Sequence, residues 1–231
     1  MTHSSIAIAV FVKTPEYSPL KTRLAADIGS AAAEEFHQLA VGCVEETLIE
    51  LREALPEELH AIWSIAEPEA FAEPLWSQFE SMGQGTGDLG DRLHHVYSTL
   101  IEKHDIVLLM GADSPQLASG SIRAVIEYLL TEGSSPFGMI PANDGGFVLF
   151  GGTKPIDRKI WKQVPYSVDE TFERLIAELR RSGETERFPE QVDVDTWDDL
   201  QLLLSELKTR PAGSAKENLW LWIQEQISRR A

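Results

Sequence analysis

Four sets of side chains in this sequence could serve one piece of chemistry. Lys13, Lys21 and Arg23 fall within eleven residues whose single acid is Glu16, in a chain where acids outnumber bases 37 to 20. Phosphates are held by backbone amides at turns together with Lys or Arg, so Lys13 to Arg23, Thr14 included, is a candidate phosphate loop, although ordinary solvated side chains also fit. Asp113 ends the apolar run Leu108-Leu109-Met110 and precedes Ser114-Pro115. Magnesium and manganese take oxygen ligands and need only one or two protein carboxylates, the remaining positions going to water and substrate phosphate. Asp113 and Asp195, with Asp193 as the alternative to Asp195, are the candidate ligands. An aspartate at a turn or helix cap fits both positions as well, and Asp195 more readily because Thr196-Trp197-Asp198-Asp199 opens a helix. Asp144-Gly145-Gly146-Phe147 would bring a backbone edge close to a sugar or acceptor, with Asp144 accepting hydrogen bonds from hydroxyls; an Asp-Gly hairpin turn is the simpler alternative. Gly83 to Gly90 carries four glycines that permit close backbone approach, with Gly87 and Asp88 nearest the following helix. Together these residues point to an enzyme that handles a nucleotide through Mg2+ or Mn2+.

The elements that must position them alternate between strand-like and helical periods, the pattern of βα units on a mainly parallel sheet. Strands are expected at Ile6–Val12, Leu59–Ile65, Ile106–Met110, Phe137–Pro141, Phe147–Phe150 and Gln191–Asp195. Pro15 and Pro19 oppose a continuous helix after the first strand. Helical spacing runs through Ala33, Phe36, Ala40, Val44, Leu48 and Leu51, then through Leu89, Leu93, Val96 and Leu100, and again through Ile122, Val125, Ile126 and Leu129. Ser167-Val168-Asp169-Glu170 has the form of a capping box ahead of Phe172, Leu175, Ile176 and Leu179, and Thr196 caps the helix bearing Leu200 and Leu203. Lys208 to Ser214 is linker-like, and Ser214 opens a last amphipathic helix carrying Leu219, Trp222, Ile223 and Ile227. The expected organisation is one α/β domain over residues 1–208, a mainly parallel mixed sheet flanked by helices, with 209–231 packed on it as a C-terminal helix.

Composition excludes several alternatives. A formal charge of −17 disfavours nucleic acid as a partner. Cys43 is the only cysteine, which rules out an internal disulfide and a cysteine-based zinc site and reads as a buried thiol. No run reaches membrane-spanning length, and Ile6 to Val12 lacks the layout of a signal peptide, so a cytoplasmic protein without membrane attachment is expected. Neither the glycine-rich dinucleotide fingerprint nor the Walker pattern is present. His3, His37, His60, His94, His95 and His104 show no metal spacing and receive no role.

With these residues in place, the chain resembles the GT-A glycosyltransferase-like family once catalogued as a domain of unknown function and now labelled arsenosugar-biosynthesis-type glycosyltransferases. It is similar, more distantly, to small nucleotidylyltransferases that make molybdenum-cofactor dinucleotides or guanylylate phospholactate. The likeness runs through Lys13-Thr14-Pro15, Lys21 to Ala25, Gly87 to Leu93, Gly111 to Pro115, Asp144 to Phe147 and Asp193 to Thr196. It implies a Rossmann-like nucleotide-diphospho-sugar transferase fold. It puts Lys13, Lys21 and Arg23 near phosphate, Asp113 and Asp195 at the metal, and Asp144 near sugar or acceptor. The chain departs from the family with Ser18 or Pro19 in place of a loop glycine and with Phe147 in place of a tyrosine. The expected activity is metal-dependent transfer from a nucleoside-diphosphate sugar to a small acceptor, with Asp144 and Arg23 as catalytic candidates. Nucleotidyl transfer from a nucleoside triphosphate is the alternative, a noncatalytic nucleotide-binding protein is the second, and a homo-oligomer is compatible with any of them.

Overall fold

Ile6, Ile8 and Val10 face one side of the first strand, Ala7 and Ala9 face the other, and all five are fully buried. A strand with no solvent face belongs in the middle of a parallel sheet covered by helices on both sides. The computed structural model of the chain has this architecture and describes residues 4–55 and 57–230, so His3 lies outside it.

In chain order the elements are β1 (Ser5–Val12), α1 (Thr22–Ile28), α2 (Ser30–Ala54), β2 (Glu58–Ile65), β3 (Glu80–Gly83), α3 (Leu89–Ile101), β4 (Ile106–Gly111) and α4 (Ser119–Leu130). They continue with β5 (Phe137–Pro141), β6 (Phe147–Gly152), α5 (Arg158–Gln163), α6 (Thr171–Leu179), β7 (Thr185–Arg187), α7 (Trp197–Glu206) and α8 (Ala215–Arg230). The sheet order is β3-β2-β1-β4-β6-β5-β7, and β6 alone runs against its neighbours. This is a single α/β domain with a mostly parallel mixed sheet. The reversal at β6 lets β5 and β6 join through the short turn at Asp144, and it places that turn at the same sheet edge as the carboxyl ends of β1 and β4.

The two faces are built differently. Ile6, Ile8 and Val10 pack with Val41, Val44 and Leu48 of α2 and with Ile122 and Val125 of α4. Ala7 and Ala9 leave room on the opposite face for Leu93, Val96 and Tyr97 of α3, backed by Trp161 of α5 and Leu175 of α6. A third cluster lies outside the sheet: Phe36, Ala40 and Cys43 on the outer side of α2 meet Leu200 and Leu203 of α7 and Leu219, Trp222 and Ile223 of α8. Burial pushes the Cys43 thiol up to about 12, so it stays protonated and inert.

Three local expectations are corrected. Ser167 does not cap α6: it has φ 62°, the N-cap is Glu170, and the Thr171 hydroxyl is drawn instead to Pro165 O (2.9 Å) and Val168 O (2.7 Å). Gln191–Asp195 is not a strand. It makes one bridge, Ala142 with Gln191, and then leaves the ladder because Val194 N is taken by Asp113 O at 3.0 Å and Val192 O by the Gln116 amide at 2.7 Å. The edge strand is β7, whose polar Thr-Glu-Arg sequence carries no apolar alternation. Leu89, placed on the buried face of α3 by its spacing, is exposed in the first turn of that helix. The short elements α1, β3 and α5 were not anticipated. Thr196 does cap α7, with Asp199 completing a reciprocal capping box, and Ser214 Oγ accepts from Glu217 N at the start of α8.

An ion network joins α3 to α5. Asp91 Oδ1 accepts from Arg158 at 2.7 Å and its Oδ2 from Lys162 at 2.8 Å, and Lys162 also reaches Asp88 at 2.7 Å. Lys162 and Arg158 hold the Asp91 carboxyl down at about 2, from an ordinary value of 3.8. Because the folded value is depressed, the stability this pairing contributes is complete above pH ~4 and is lost as pH falls toward ~2. Asp91→Asn should therefore be less stable than the parent at neutral pH, and the gap in denaturant midpoints should close between pH 4 and pH 2.

Candidate active site

A cleft of about 1200 Å³ opens along the carboxyl edge of the parallel strands, where open α/β sheets bind their ligands. It is lined by the loop after β1, the start of α3, the end of β4, the β5–β6 turn and the residues that lead into α6. At its centre lies the Lys21 ammonium. Nζ is 3.0 Å from Asp113 Oδ2 and 3.1 Å from Asp195 Oδ1, and it also donates to Val194 O. The Lys21 side chain is 5% exposed, so this charge is withdrawn from water. Burial alone would lower its pKa, but Asp113, Asp193 and Asp195 outweigh it and hold the ammonium above the ordinary lysine value. Asp193, half-buried beside them, is pushed up to about 7, chiefly by desolvation and then by Asp113.

Three chain segments converge on this point. Asp113 follows β4, Lys21 opens α1 in the left-handed conformation at φ 42°, and Asp195 precedes the Thr196 cap. The third segment is stitched in by Val194 N to Asp113 O, by Asp193 N to the Asn143 side chain at 2.9 Å and by Ser114 Oγ to Asp193 Oδ1 at 3.3 Å. The expected pair Asp113 and Asp195 is thus brought together around one cation. Among the described residues no three His, Cys, Asp or Glu side chains stand at metal-binding spacing.

The other expected residues separate into two ends. Lys13 and Arg23 line the cleft on the β1 side, both exposed, with Arg23 Nη1 3.5 Å from Asp195. Thr14 turns inward instead: it is 3% exposed, its N–H donates to Glu67 at 2.9 Å and its hydroxyl accepts from Trp76 at 3.2 Å. Those bonds anchor the loop and keep Thr14 off the cleft wall. Gly87 and Asp88 line the wall, but Asp88 is spent as the N-cap of α3, accepting from Asp91 N at 3.0 Å, and as a partner of Lys162. On the opposite side, Asp144 Oδ1 accepts from Gly146 N at 2.9 Å. Gly145 sits at φ +86°, and its carbonyl accepts Phe172 N at 2.9 Å, which ties the turn to the start of α6.

Two cleft residues escaped the sequence reading. Arg92 lines the wall with its guanidinium held by Gly87 O at 3.1 Å and Gln84 Oε1 at 3.4 Å. Its signal is its place in the Gly87 to Leu93 run, one helical turn after Asp88. His37 donates from Nε2 to Lys13 O at 3.0 Å, and burial lowers its pKa, so a neutral ring braces the cationic loop. Its signal is its position on the apolar face of α2, between Ala33 and Val41.

Charge is segregated along the cleft. The β1 and β3 end presents Lys13, Arg23 and Arg92, with one acid, Asp88, whose charge is met by Lys162 at 2.7 Å. The β5, β6 and β7 end presents Asp144, Asp169, Glu173 and Glu190. Among the described residues lining that second end Arg187 is the one cation, and it is held by Glu173 at 2.9 Å and lies over the Phe172 ring at 4.8 Å.

Residues 48–168, just over half the chain, match the family described as "uncharacterized protein conserved in bacteria (DUF2064)". Among solved structures, a candidate nucleotide-diphospho-sugar transferase from Desulfovibrio desulfuricans G20 aligns with a TM-score of 0.83 at 26% identity, over 98% of each chain. A cytidylyltransferase from Leptospira borgpetersenii serovar Hardjo-bovis aligns at TM-score 0.52 and 14% identity, over 98% of this chain and 96% of that one. A 4-diphosphocytidyl-2C-methyl-D-erythritol synthase from Anaerococcus prevotii DSM 20548 aligns at 0.53 and 10%, over 86% and 96%. The last two share the fold alone. No protein of curated function matches.

The β5–β6 turn tolerates no side chain at its second residue. A Cβ on Gly145 would lie 2.0 Å from Asp169 O, on a backbone conformation that L residues avoid. Gly145→Ala should cost at least about 1–3 kcal/mol in chemical denaturation, from local strain and separation of the turn from α6.

Proposed function

The chain belongs to that uncharacterized bacterial family, and from this premise we propose that it is a metal-dependent glycosyltransferase. Its donor is a nucleoside-diphosphate sugar and its acceptor a small molecule attacking through a hydroxyl or similar nucleophile. The observation that carries this reading is the segregation of charge along the cleft. A departing nucleoside diphosphate needs cations at one end, and Lys13, Arg23 and Arg92 are there. A nucleotidyl transfer to a phosphorylated acceptor would need a free cation at the other end as well. The cation there is Arg187, and Glu173 beside it, with Asp144, Asp169 and Glu190, leaves that end net acidic, whereas the opposite end is net basic. The likeness over 98% of each chain to the candidate nucleotide-diphospho-sugar transferase supports the same choice.

In this reading the cationic loop stabilises charge that grows on the diphosphate as the glycosidic bond breaks, the electrostatic contribution such a reaction needs most. Arg23, at the mouth of the loop, is free to swing from Asp195 to phosphate, since its side chain is 66% exposed. Asp113 and Asp195 would hold Mg2+ or Mn2+. Their oxygens already converge on one cation, and both are hard donors suited to such ions. The metal would supply further charge neutralisation at the diphosphate. Asp144 keeps one carboxylate oxygen on Gly146 N and presents the other toward an acceptor hydroxyl, where it would orient the nucleophile or take its proton.

A thermal-shift panel tests the reading. A nucleotide sugar with Mn2+, at about 100 times its Kd, should raise the Tm by roughly 5–10 °C, and Asp113→Ala should abolish the metal-dependent part. Addition of the acceptor should then release nucleoside diphosphate. A larger shift with a nucleoside triphosphate, together with pyrophosphate release, would overturn the assignment in favour of nucleotidyl transfer.

A further inference from the structure

Lys21 is buried where the metal of the proposed reaction would have to bind. Nζ contacts both candidate ligands, Asp113 at 3.0 Å and Asp195 at 3.1 Å, and takes Val194 O as well. Nothing in this arrangement resembles a lysine waiting for phosphate. Its side chain is 5% exposed, while Lys13 and Arg23 of the same loop are exposed. A divalent ion seated on the oxygens that Lys21 now holds would stand within a few ångströms of the ammonium, and in a partly desolvated cleft their repulsion is large. The conformation of Lys21 adds to the case. It is a non-glycine residue at φ 42°, ψ 50°, where side chains are disfavoured, and from this N-cap position of α1 its side chain reaches both carboxylates.

We infer that Lys21 is a resident counter-ion of the metal ligands, which divalent metal displaces and which then turns to the diphosphate of the donor. The inference rests on the metal-dependent reading of this cleft and adds an order to it. Without ligand, the ammonium neutralises Asp113 and Asp195 and keeps three segments together. Metal alone must evict a well-paired lysine and therefore binds weakly. Metal arriving with a diphosphate offers the evicted ammonium a new partner, so the two bind synergistically. Coupling of this kind is reciprocal and commonly amounts to ~5–150-fold in affinity. Lys21 is thus a positioning residue for the metal ligands before the donor binds and a phosphate contact afterwards, and it links occupancy of the two.

The test uses the intact chain, Mn2+ alone, and Mn2+ with inorganic pyrophosphate. Mn2+ affinity is read from the electron paramagnetic resonance signal of the free ion. In the parent, Mn2+ alone should bind weakly, and pyrophosphate should tighten it by ~5–150-fold. In Lys21→Met, Mn2+ alone should bind at least ~10-fold more tightly than in the parent, and pyrophosphate should add little. A lysine with a merely structural role would not improve metal binding when removed. A second readout needs no substitution: acetylation of Lys21, followed by mass spectrometry, should be slow in the free protein, fast with Mn2+ alone, and slow again with Mn2+ and pyrophosphate. Equal or weaker Mn2+ binding by folded Lys21→Met, or a Lys21 that stays protected with Mn2+ bound, would overturn the exchange while leaving the metal site intact. Absence of Mn2+ binding in both proteins, with and without pyrophosphate, would overturn the metal-dependent reading itself.

Discussion

One buried cation among three aspartates organises the cleft of this protein. A charge taken out of water is tolerable only when opposite charge and hydrogen bonds surround it, and the Lys21 ammonium is met by Asp113, Asp195 and Val194 O, with Asp193 close by. These groups come from the loop after β1, the end of β4 and the segment before α7, stretches that the sheet alone would not hold together. The junction fixes where the cationic loop stands, and it explains why Asp193–Asp195 follows β4 and the β5–β6 turn rather than extending a strand.

The sheet supplies the second constraint. β1 and β4 lie side by side in parallel, so their carboxyl ends open at one edge, and the reversed β6 returns the chain there through the Asp144 turn. Two walls of one cleft are thereby drawn from opposite halves of the sheet. In a chain with net charge −17, a wall bearing Lys13, Arg23 and Arg92 is a local exception, and the facing wall keeps the acidic character of the whole. Under the proposed function this arrangement would attract a diphosphate to one end and repel it from the other, giving the substrate a direction along the cleft.

Much of this was legible in the residues. Strands buried on both faces announce themselves as unbroken apolar runs, so β1 and β4, and hence the position of Asp113, could be read directly, and so could the Thr196 cap. Tertiary competition hid the rest. Thr14 looks like a phosphate-loop threonine, yet Trp76 and Glu67, more than fifty residues away, claim its hydroxyl and N–H. Ser167 to Glu170 has the spelling of a capping box, but the cap geometry loses to the bonds made by the Thr171 hydroxyl. The run Gln191 to Asp195 alternates like a strand, but its hydrogen-bonding groups are divided between two partners. Spacing marks where Arg92 and His37 sit, but it carries no record of the bonds that aim them, Arg92 to Gly87 O and the Gln84 side chain and His37 to Lys13 O.

Anomalous diffraction from a crystal grown with Mn2+ and a nucleoside diphosphate would test the charge-segregated cleft most directly. The expected map has a manganese peak between Asp113 and Asp195, the diphosphate against Lys13, Arg23 and Arg92, and Lys21 Nζ moved from the carboxylates to a phosphate oxygen. A diphosphate seated beside Asp144 and Arg187, or a manganese peak away from Asp113, would contradict it.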